Sequence, residues 1–322
     1  MDLLTAPIAH ELELFDQRMD DALRADVELA HEIARYMAAL QGKRLRPTLA
    51  LLSARAVGYE DERAIDAAVA VEMIHAATMI HDDVVDAASM RRGRPSVGSA
   101  WSGQLAVLMG DFLLSRALCI LVGLDSLPAL GAVARATERL SIGEIHEIQI
   151  GRQLDTSQDS YFRMVSDKTA SLITASVQMG PILAQAAPRV IDAMGAYGEA
   201  LGTAFQIADD ILDFTGNAAT LGKPVGIDLR EGKITLPLIL ALERAPAPVR
   251  QSINRLMKCD HKSNAEWHRL VDFVNEHAGV AAAQQRASQH AETARRALHE
   301  LAPSPAREAL EFAVRRAVER QH

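Results

Sequence analysis

The chain has 322 residues, 49% of them hydrophobic and 24% charged, a composition that supports a sizeable globular core. Its net charge of −8 gives nucleic-acid binding no electrostatic support, and neither of its two cysteines has a partner at metal spacing. With 4% aromatic residues and few β-branched runs, the sequence favours an all-α protein of a reducing compartment, without a disulfide framework.

The N-terminal residues lack the basic region and the long apolar core of a signal peptide. The chain also contains no run of about 18 uncharged apolar residues, the length that crosses a bilayer. We therefore expect a cytoplasmic protein without a transmembrane segment. Apolar residues at helical spacing, such as Leu12, Phe15 and Met19, predict one or two amphipathic helices within residues 8–40.

A short basic segment follows, with the sequence Gly42-Lys43-Arg44-Leu45-Arg46-Pro47. Gly42 permits a tight turn, and Pro47 suits the first turn of the apolar helix predicted for residues 48–57. Cations beside a helix N-terminus form a good anion site, so this segment is a candidate phosphate-binding loop. The alternative is a solvated basic loop.

The helix predicted for residues 61–87 begins as an apolar run and ends in Asp82, Asp83 and Asp86. Asp82 and Asp86 lie one turn apart on one face, with His75 on the same side. Paired carboxylates must face water or a cation, and Mg²⁺ combines a few carboxylates with substrate phosphates. The alternative is a helix end with a solvated acidic tip. For His75 we favour a substrate contact over a hydrogen-bonded core residue.

Further candidate phosphate ligands follow this motif. The loop Arg91-Arg92-Gly93-Arg94-Pro95 carries guanidinium groups that bind phosphate in a bidentate way or pair with the nearby aspartates. Two helices are predicted next, over residues 103–124 and 129–153. A helix over residues 161–185 then carries the pair Lys168-Thr169, which is either a phosphate contact or a plain surface pair.

The helix predicted for residues 191–214 repeats the acidic pattern with Asp209, Asp210 and Asp213, and Gln206 precedes them by one turn. Two such clusters on two helices can converge across a cavity, share several Mg²⁺ ions and hold a diphosphate. The Gly-rich segment 216–232 is long enough for a functional loop that brings Lys223 and Lys233 onto that diphosphate. The alternative is a disordered surface loop. Residues 246–322 predict amphipathic helices without evident chemistry.

Together these motifs resemble the trans-isoprenyl diphosphate synthases, also called polyprenyl synthetases. The resemblance rests on GKRLRP, DDVVD followed by RRG, Lys168-Thr169, FQIADDILD and LGKPVGIDLREGKITLP, in the order and spacing of that family. It implies one all-α domain over residues 1–322, a single bundle of about ten to thirteen helices around a deep central cavity. It also implies a homodimer that uses isopentenyl diphosphate and an allylic diphosphate, either farnesyl or geranylgeranyl diphosphate.

The resemblance also implies a role for each matching residue. About three Mg²⁺ ions would be held by Asp82, Asp86, Asp209 and Asp213, supported by Asp83 and Asp210. The allylic diphosphate would be bound by Arg91, Lys168, Thr169, Gln206, Lys223 and Lys233. Isopentenyl diphosphate would be bound by Lys43, Arg44, Arg46, His75 and Arg92. The catalytic set would be Asp82, Asp86, Lys168, Asp209 and Lys223.

Product length in this family depends on side chains just before the first aspartate. Short-chain members tend to carry bulky aromatics there, whereas this chain has Ile74, Ala77 and Thr78. This pattern resembles the medium- and long-chain branch, which makes C35–C50 products; a tunnel floor at Leu118 or Val122 would instead stop chain growth early.

The alternative functions are a short-chain enzyme, the non-catalytic subunit of a heteromeric synthase, and a terpene cyclase. The complete second Asp motif argues against the last two.

The chain departs from many family members at one position. It has Glu147 where the pattern GExxQ would place glutamine, and the sequence gives no role for this carboxylate.

Overall fold

The computed structural model describes residues 2–39, 42, 44–215, 226–259 and 261–319. Their α-helices are α1 (Ala9–Ala22), α2 (Glu28–Ala39), α3 (Leu45–Ala56), α4 (Arg63–Val85), α5 (Val97–Ala100), α6 (Gly103–Gly123), α7 (Leu127–Gln153), α8 (Gln158–Val165), α9 (Ser171–Leu183), α10 (Pro188–Thr215), α11 (Ile227–Arg230), α12 (Leu236–Arg244), α13 (Ala247–Met257), α14 (Asn264–Glu276), α15 (Gly279–Ala297) and α16 (Pro305–Val318). Short 3₁₀ turns cover Ala6–Ile8 and Leu298–Glu300, and a π-helical turn, Ser166–Ala170, joins α8 to α9. The prediction of an all-α fold is confirmed.

The basic loop after α4 is the one place where the described residues form strands. Strands β1 (Met90–Arg91) and β2 (Arg94–Pro95) pair antiparallel, with Arg91 opposite Arg94. Arg92 and Gly93 form the two-residue turn, with φ angles of 49° and 76°. Positive φ at both turn residues matches the right-handed twist of a tight hairpin, and glycine adopts it readily. The hairpin therefore fixes the directions of Arg91 and Arg92.

Serine side chains begin several helices. Ser102 accepts a hydrogen bond from the Leu105 amide at 3.1 Å and thereby caps α6. Ser157 caps α8 in the same way through the Ser160 amide at 3.2 Å. Each cap satisfies one backbone amide that has no partner within its own helix. The sequence therefore marks these helix starts locally.

The chain divides into two compact units, and the prediction of a single domain stays a prediction. The first unit comprises Met1–Thr137, Leu172–Gly195 and Leu298–Phe312. Its core contains the apolar faces of α3 and α4, and α4 packs along α6. Helix α4 is buried almost all round from Ala67 to Ile74, so its acidic end is anchored by a rigid apolar stem.

The second unit comprises Glu138–Ser171, Ala196–Ala297 and Ala313–His322. Its core is one cluster of apolar side chains from α8, the later turns of α10, and helices α12 to α15. Tyr161 and Ile207 of this cluster are fully or almost fully buried. The cluster holds α8 and α10 together, and these helices carry the second acidic motif and a residue that contacts it.

Two helices are long and apolar enough to cross a membrane, judged by length and composition alone. Helix α4 is mostly buried, as a core helix is. Helix α6 is mostly apolar yet only one third buried, and Leu118 and Val122 on it are 44% and 66% exposed. The suggestion that these two side chains form a tunnel floor stays a prediction, since an exposed side chain can line an open cavity as well as the outer surface.

Candidate active site

The first acidic motif occupies the C-terminal end of α4. Asp82 is half-buried, and Asp86 is the exposed residue that ends the helix. Asp83 turns inward instead: its side chain is 11% exposed and accepts a hydrogen bond from Arg91 at 3.2 Å. This division follows from the 100° rotation between successive helical residues. Asp83 thus fixes the hairpin arginine, and Asp82 and Asp86 are the candidate cation ligands of this motif.

A buried network of opposite charges lies on the same helix, further from its acidic end. The guanidinium of Arg46, on α3, donates from Nη1 to Nε2 of His75 at 3.0 Å. Because a guanidinium only donates, this imidazole nitrogen accepts and is unprotonated. Burial and the nearby Arg46 hold the pKa of His75 well below its ordinary value. His75 therefore orients Arg46 as a neutral imidazole.

Glu72 completes this network. Its side chain is buried, which raises its pKa, while the positive charges of Arg46, Arg44 and Arg92 oppose that rise. Arg44 also pairs with Asp16 of α1. The predicted isopentenyl diphosphate ligands Arg44, Arg46, His75 and Arg92 are thus close enough to share one electrostatic field.

Arg46 still has a hydrogen-bond donor that a ligand could use. Its Nε atom is buried and has no hydrogen-bond partner among the described residues. A buried donor without an acceptor carries a desolvation cost that an anionic ligand would remove. This orphaned donor is the strongest sign of an anion site in the first unit. Lys43, predicted for the same site, lies outside the described residues.

The second acidic motif lies near the C-terminal end of α10 and shows the same division. Asp209 is exposed, whereas Asp210 is buried at 3% relative exposure. Asp213 is half-buried, and its two carboxylate oxygens accept hydrogen bonds from the backbone amides of Ile227 at 2.9 Å and Asp228 at 3.3 Å. Asp213 therefore ties α10 to the start of α11, which sequence reasoning did not predict.

A chain of hydrogen bonds holds Asp210. Thr169 Oγ1 donates to the Gln206 side-chain oxygen at 2.8 Å, and the Gln206 amide donates to Asp210 at 2.9 Å. The buried hydroxyl of Tyr161 donates to the other Asp210 oxygen at 2.6 Å. The predicted residues Thr169 and Gln206 are thus joined to the acidic motif. Tyr161 was not predicted, because nothing local in the sequence pairs it with a residue on α10.

The pKa of Asp210 predicts a pH dependence of stability in the metal-free protein. Burial raises this pKa to about 8, although Tyr161 and Gln206 donate hydrogen bonds to the carboxylate. The folded state therefore binds a proton that the unfolded state releases near its ordinary pKa of about 4. We expect the unfolding free energy of wild type, relative to Asp210→Asn, to fall as pH rises from about 4 to about 8. Denaturant titrations at several pH values measure this difference, and a rising or flat difference would contradict it.

Lys168 lies in the π-helical turn and contacts two carboxylates of α7. Its ammonium donates to Glu144 and to Glu147, each at 2.7 Å. Burial opposes its charge, but Glu147 and Glu144 outweigh burial and raise the pKa of Lys168. The predicted phosphate ligand is therefore fully charged and held in place. π-Helical turns are frequent at functional sites.

Lys233 lies close to the second motif as well. It donates to Glu231 at 2.8 Å, and its pKa is raised, against burial, by Glu231, Glu147 and Asp228. The pKa of Asp228 is itself raised to about 6, chiefly by burial and the neighbouring Asp213. The second unit thus concentrates both signs of charge near α10 and α11. Lys223, predicted to bind the same diphosphate, lies outside the described residues.

The donor atoms of both motifs fit magnesium. Every acidic-motif ligand is a carboxylate oxygen, the hard donor that Mg²⁺ takes. Among the described residues, no three His, Cys, Asp or Glu side chains converge as a ready metal site. Mg²⁺ needs no such cage, since it is usually held by one or two carboxylates together with water and substrate phosphates. The exposed Asp209 and Asp86 and the half-buried Asp82 suit this mode of binding.

Comparison with known proteins identifies the family. Residues 27–274 match the family model described as polyprenyl synthetase. The chain belongs to the polyprenyl synthetase family. It is therefore a trans-prenyltransferase, and the predicted family and enzyme class are confirmed. Prenyl diphosphate synthases of this family are generally magnesium-dependent and use isopentenyl and allylic diphosphates.

Named relatives span nearly the whole chain. A nonaprenyl-diphosphate synthase of Rhodobacter capsulatus, described as geranyl-diphosphate specific, is 36% identical over 98% of this chain and 97% of its own. The octaprenyl diphosphate synthase of Escherichia coli is 37% identical over 90% of each chain. A crystal structure of a polyprenyl synthase from Caulobacter crescentus, complexed with calcium and isoprenyl diphosphate, is 35% identical with a TM-score of 0.93, covering 100% of this chain and 98% of that one.

Proposed function

We propose that this chain condenses isopentenyl diphosphate head-to-tail with an allylic diphosphate and makes a trans polyprenyl diphosphate of C35–C50. The observation that carries the product class is the set of relatives named for octaprenyl and nonaprenyl products, which match at least nine tenths of the chain. A decaprenyl diphosphate synthase structure from Rhodobacter capsulatus supports it too, at 33% identity and a TM-score of 0.93, covering 100% of this chain and 99% of that one. The small Ala77 and Thr78 agree with this range.

Isopentenyl diphosphate is assigned to the first unit. Arg46 supplies the buried donor without a partner, and His75 fixes the orientation of its guanidinium. Arg44 and Arg92 add positive charge, as their effect on the pKa of Glu72 indicates. Guanidinium groups recognise phosphate oxygens with two parallel hydrogen bonds, so this cluster suits a diphosphate.

The allylic diphosphate is assigned to Lys168, Thr169, Gln206 and Lys233 of the second unit, together with Arg91 and Lys223. Asp82, Asp86, Asp209 and Asp213 would hold about three Mg²⁺ ions, with Asp83 and Asp210 supporting them. When bound, the ions neutralise negative charge on the diphosphate and so make it a better leaving group.

The chain's own residues bind and orient the two substrates and stabilise the charge that develops on the leaving diphosphate. The ammonium of Lys168 lies on a fixed turn beside Glu144 and Glu147, so it is held as a positive charge that can stabilise developing phosphate charge. Departure of the diphosphate leaves an allylic carbocation, which the alkene of isopentenyl diphosphate attacks. Loss of a proton, which the departed diphosphate accepts, completes the new double bond. The protein's main contributions are to position two substrates and to exclude water.

The assembly and location of the enzyme are further parts of this proposal. We assign it as a cytoplasmic homodimer. The exposed apolar side chains on α6 support association with a second copy, because monomeric soluble proteins rarely expose large apolar patches. These side chains include Val107, Leu108, Leu118 and Val122. Sedimentation of the purified chain measures this state directly.

Replacing Ala77 by phenylalanine is expected to shorten the product. Ala77 is 2% exposed, on α4 and about one turn before the acidic motif, so a large ring there would displace its neighbours and narrow the proposed tunnel. Overpacking costs roughly 1–3 kcal/mol, which thermal melting will report. Thr78→Phe, at a half-buried position, is the companion variant with more room. An unchanged product ladder from both folded variants would contradict the tunnel assignment.

The first experiment combines purified chain, Mg²⁺, labelled isopentenyl diphosphate and farnesyl diphosphate, followed by sizing of the extracted products. A ladder that ends between C35 and C50 supports the proposal. A ladder that stops at geranylgeranyl length would support the proposed reaction and contradict the proposed C35–C50 product range. No incorporation by the chain alone would favour the alternative of a subunit that needs a partner.

A further inference from the structure

One face of α7 presents Gly143, Glu147 and Gly151 at four-residue spacing, so these residues form one stripe. A side chain at Gly143 would collide with the backbone of Lys168. A Cβ at Gly151 would lie 2.6 Å from the carbonyl oxygen of Gly232, beside Lys233. The two glycines thus let α7 approach both lysine-bearing segments closely, and Glu147 lies between them.

Glu147 acts on both lysines. Its carboxylate accepts a hydrogen bond from the Lys168 ammonium at 2.7 Å, with only 19% of its side chain exposed. Against the lowering effect of burial, it also helps to raise the pKa of Lys233, after the Glu231 hydrogen bond. Glu144 already gives Lys168 one carboxylate partner at 2.7 Å. Glu147 is therefore a second negative charge at a lysine assigned to the allylic diphosphate.

We propose that Glu147 is a positioning residue that holds Lys168 in the absence of diphosphate, competes with diphosphate for its ammonium and thereby speeds release of the inorganic diphosphate product. This inference rests on the proposed function, because it takes Lys168 as a diphosphate ligand. The competition follows from the donor count, since an ammonium has three N–H donors and two of them already point at carboxylates. A diphosphate that accepts two hydrogen bonds from Lys168 must therefore displace one carboxylate and remain near it.

Glutamine at this position would change the charge and keep the shape. The side chain of Glu147→Gln retains an oxygen that accepts from Lys168, so the turn stays supported. The like-charge repulsion against a bound diphosphate disappears. We expect Glu147→Gln to bind inorganic diphosphate at least about tenfold more tightly, since a unit charge at contact distance has roughly this effect even when water screens it strongly.

The test measures binding directly. Calorimetric titration of inorganic diphosphate, with Mg²⁺, into the full-length protein gives the Kd for wild type and Glu147→Gln. Glu138→Gln is the matched control, because it removes the same charge from an exposed position of α7 and should leave the Kd unchanged. Steady-state kinetics add a second readout: Glu147→Gln should lower both the KM for the allylic diphosphate and kcat, since product release slows. The lengths of its products should not change.

Two further variants separate this inference from the proposed function. Lys168→Ala should weaken diphosphate binding, and Glu147→Gln should tighten binding less in that background, because the competition for the ammonium is gone and only the charge repulsion remains. If Lys168→Ala leaves the Kd unchanged, the assignment of Lys168 and this inference both fail. If Lys168→Ala weakens binding but Glu147→Gln binds no more tightly than wild type, only the role of Glu147 is overturned. A merely structural role would lower the melting temperature of Glu147→Gln without tightening binding.

Discussion

Replacing Asp82 by asparagine is expected to lower kcat for isopentenyl diphosphate incorporation by on the order of 10³-fold. Asp82 is half-buried on the last turn of α4, one helical turn from the exposed Asp86, whereas Asp83 is engaged by Arg91. Asparagine keeps the size of the side chain but removes its charge. The variant should therefore fold normally and lose charge-dependent binding of Mg²⁺.

Asp66→Asn provides the control for this experiment. Asp66 lies in the first turn of the same helix and pairs with Arg18, so the same chemical change there removes a partly exposed ion pair. Such a pair contributes about 1 kcal/mol or less, which melting curves can resolve. Activity is measured with labelled isopentenyl diphosphate over a range of Mg²⁺ concentrations. If Asp82→Asn is as active as Asp66→Asn, the first motif does not hold the metal and the partner-subunit alternative gains support.

Local periodicity was sufficient to predict the helices that carry both acidic motifs. The apolar run before Asp82 predicted α4, and the rotation between neighbours predicted that Asp82 and Asp86 share a face. The same reasoning placed Gln206 one turn before the second motif, where it donates to Asp210. These features depend only on residues a few positions apart, so a single sequence contains them.

Contacts between distant segments were not predictable in this way. Tyr161 reaches Asp210 across a long sequence separation, and no spacing rule connects them. The two carboxylates at Lys168 depend on how α7 packs against the π-helical turn. Glu147 attracted attention only because it departs from a pattern. The structure supplies what pattern reasoning lacks here, which is the identity of the tertiary neighbour.

Uniformly apolar helices posed a different difficulty. Helix α6 is apolar on several faces, so periodicity cannot say which face is buried. In the structure Leu113 and Leu121 are buried, whereas Leu118 and Val122 are exposed. The suggestion of the latter two as a tunnel floor therefore stays a prediction. The hairpin at residues 90–95 was also missed, because its strands are too short for an alternating pattern.

Replacing Arg46 by lysine is expected to raise the KM for isopentenyl diphosphate by about 10- to 100-fold, since lysine cannot reproduce bidentate phosphate binding. Lysine retains a positive charge opposite the buried Glu72, so the loss of stability should be modest. The KM for the allylic diphosphate should not change. Arg55→Lys, in the last turn of the same helix, is the control, because it makes the same arginine-to-lysine substitution outside the proposed substrate site.

Removing the charge of Arg46 separates its contribution to folding from its contribution to binding. Arg46→Met leaves Glu72 buried without its principal cation, which should cost roughly 3 kcal/mol of stability. Adding Glu72→Gln removes the buried charge and should restore the melting temperature. Because the guanidinium is still absent, the KM for isopentenyl diphosphate should stay high. If the double variant recovered substrate affinity together with stability, isopentenyl diphosphate would have to bind somewhere other than at Arg46.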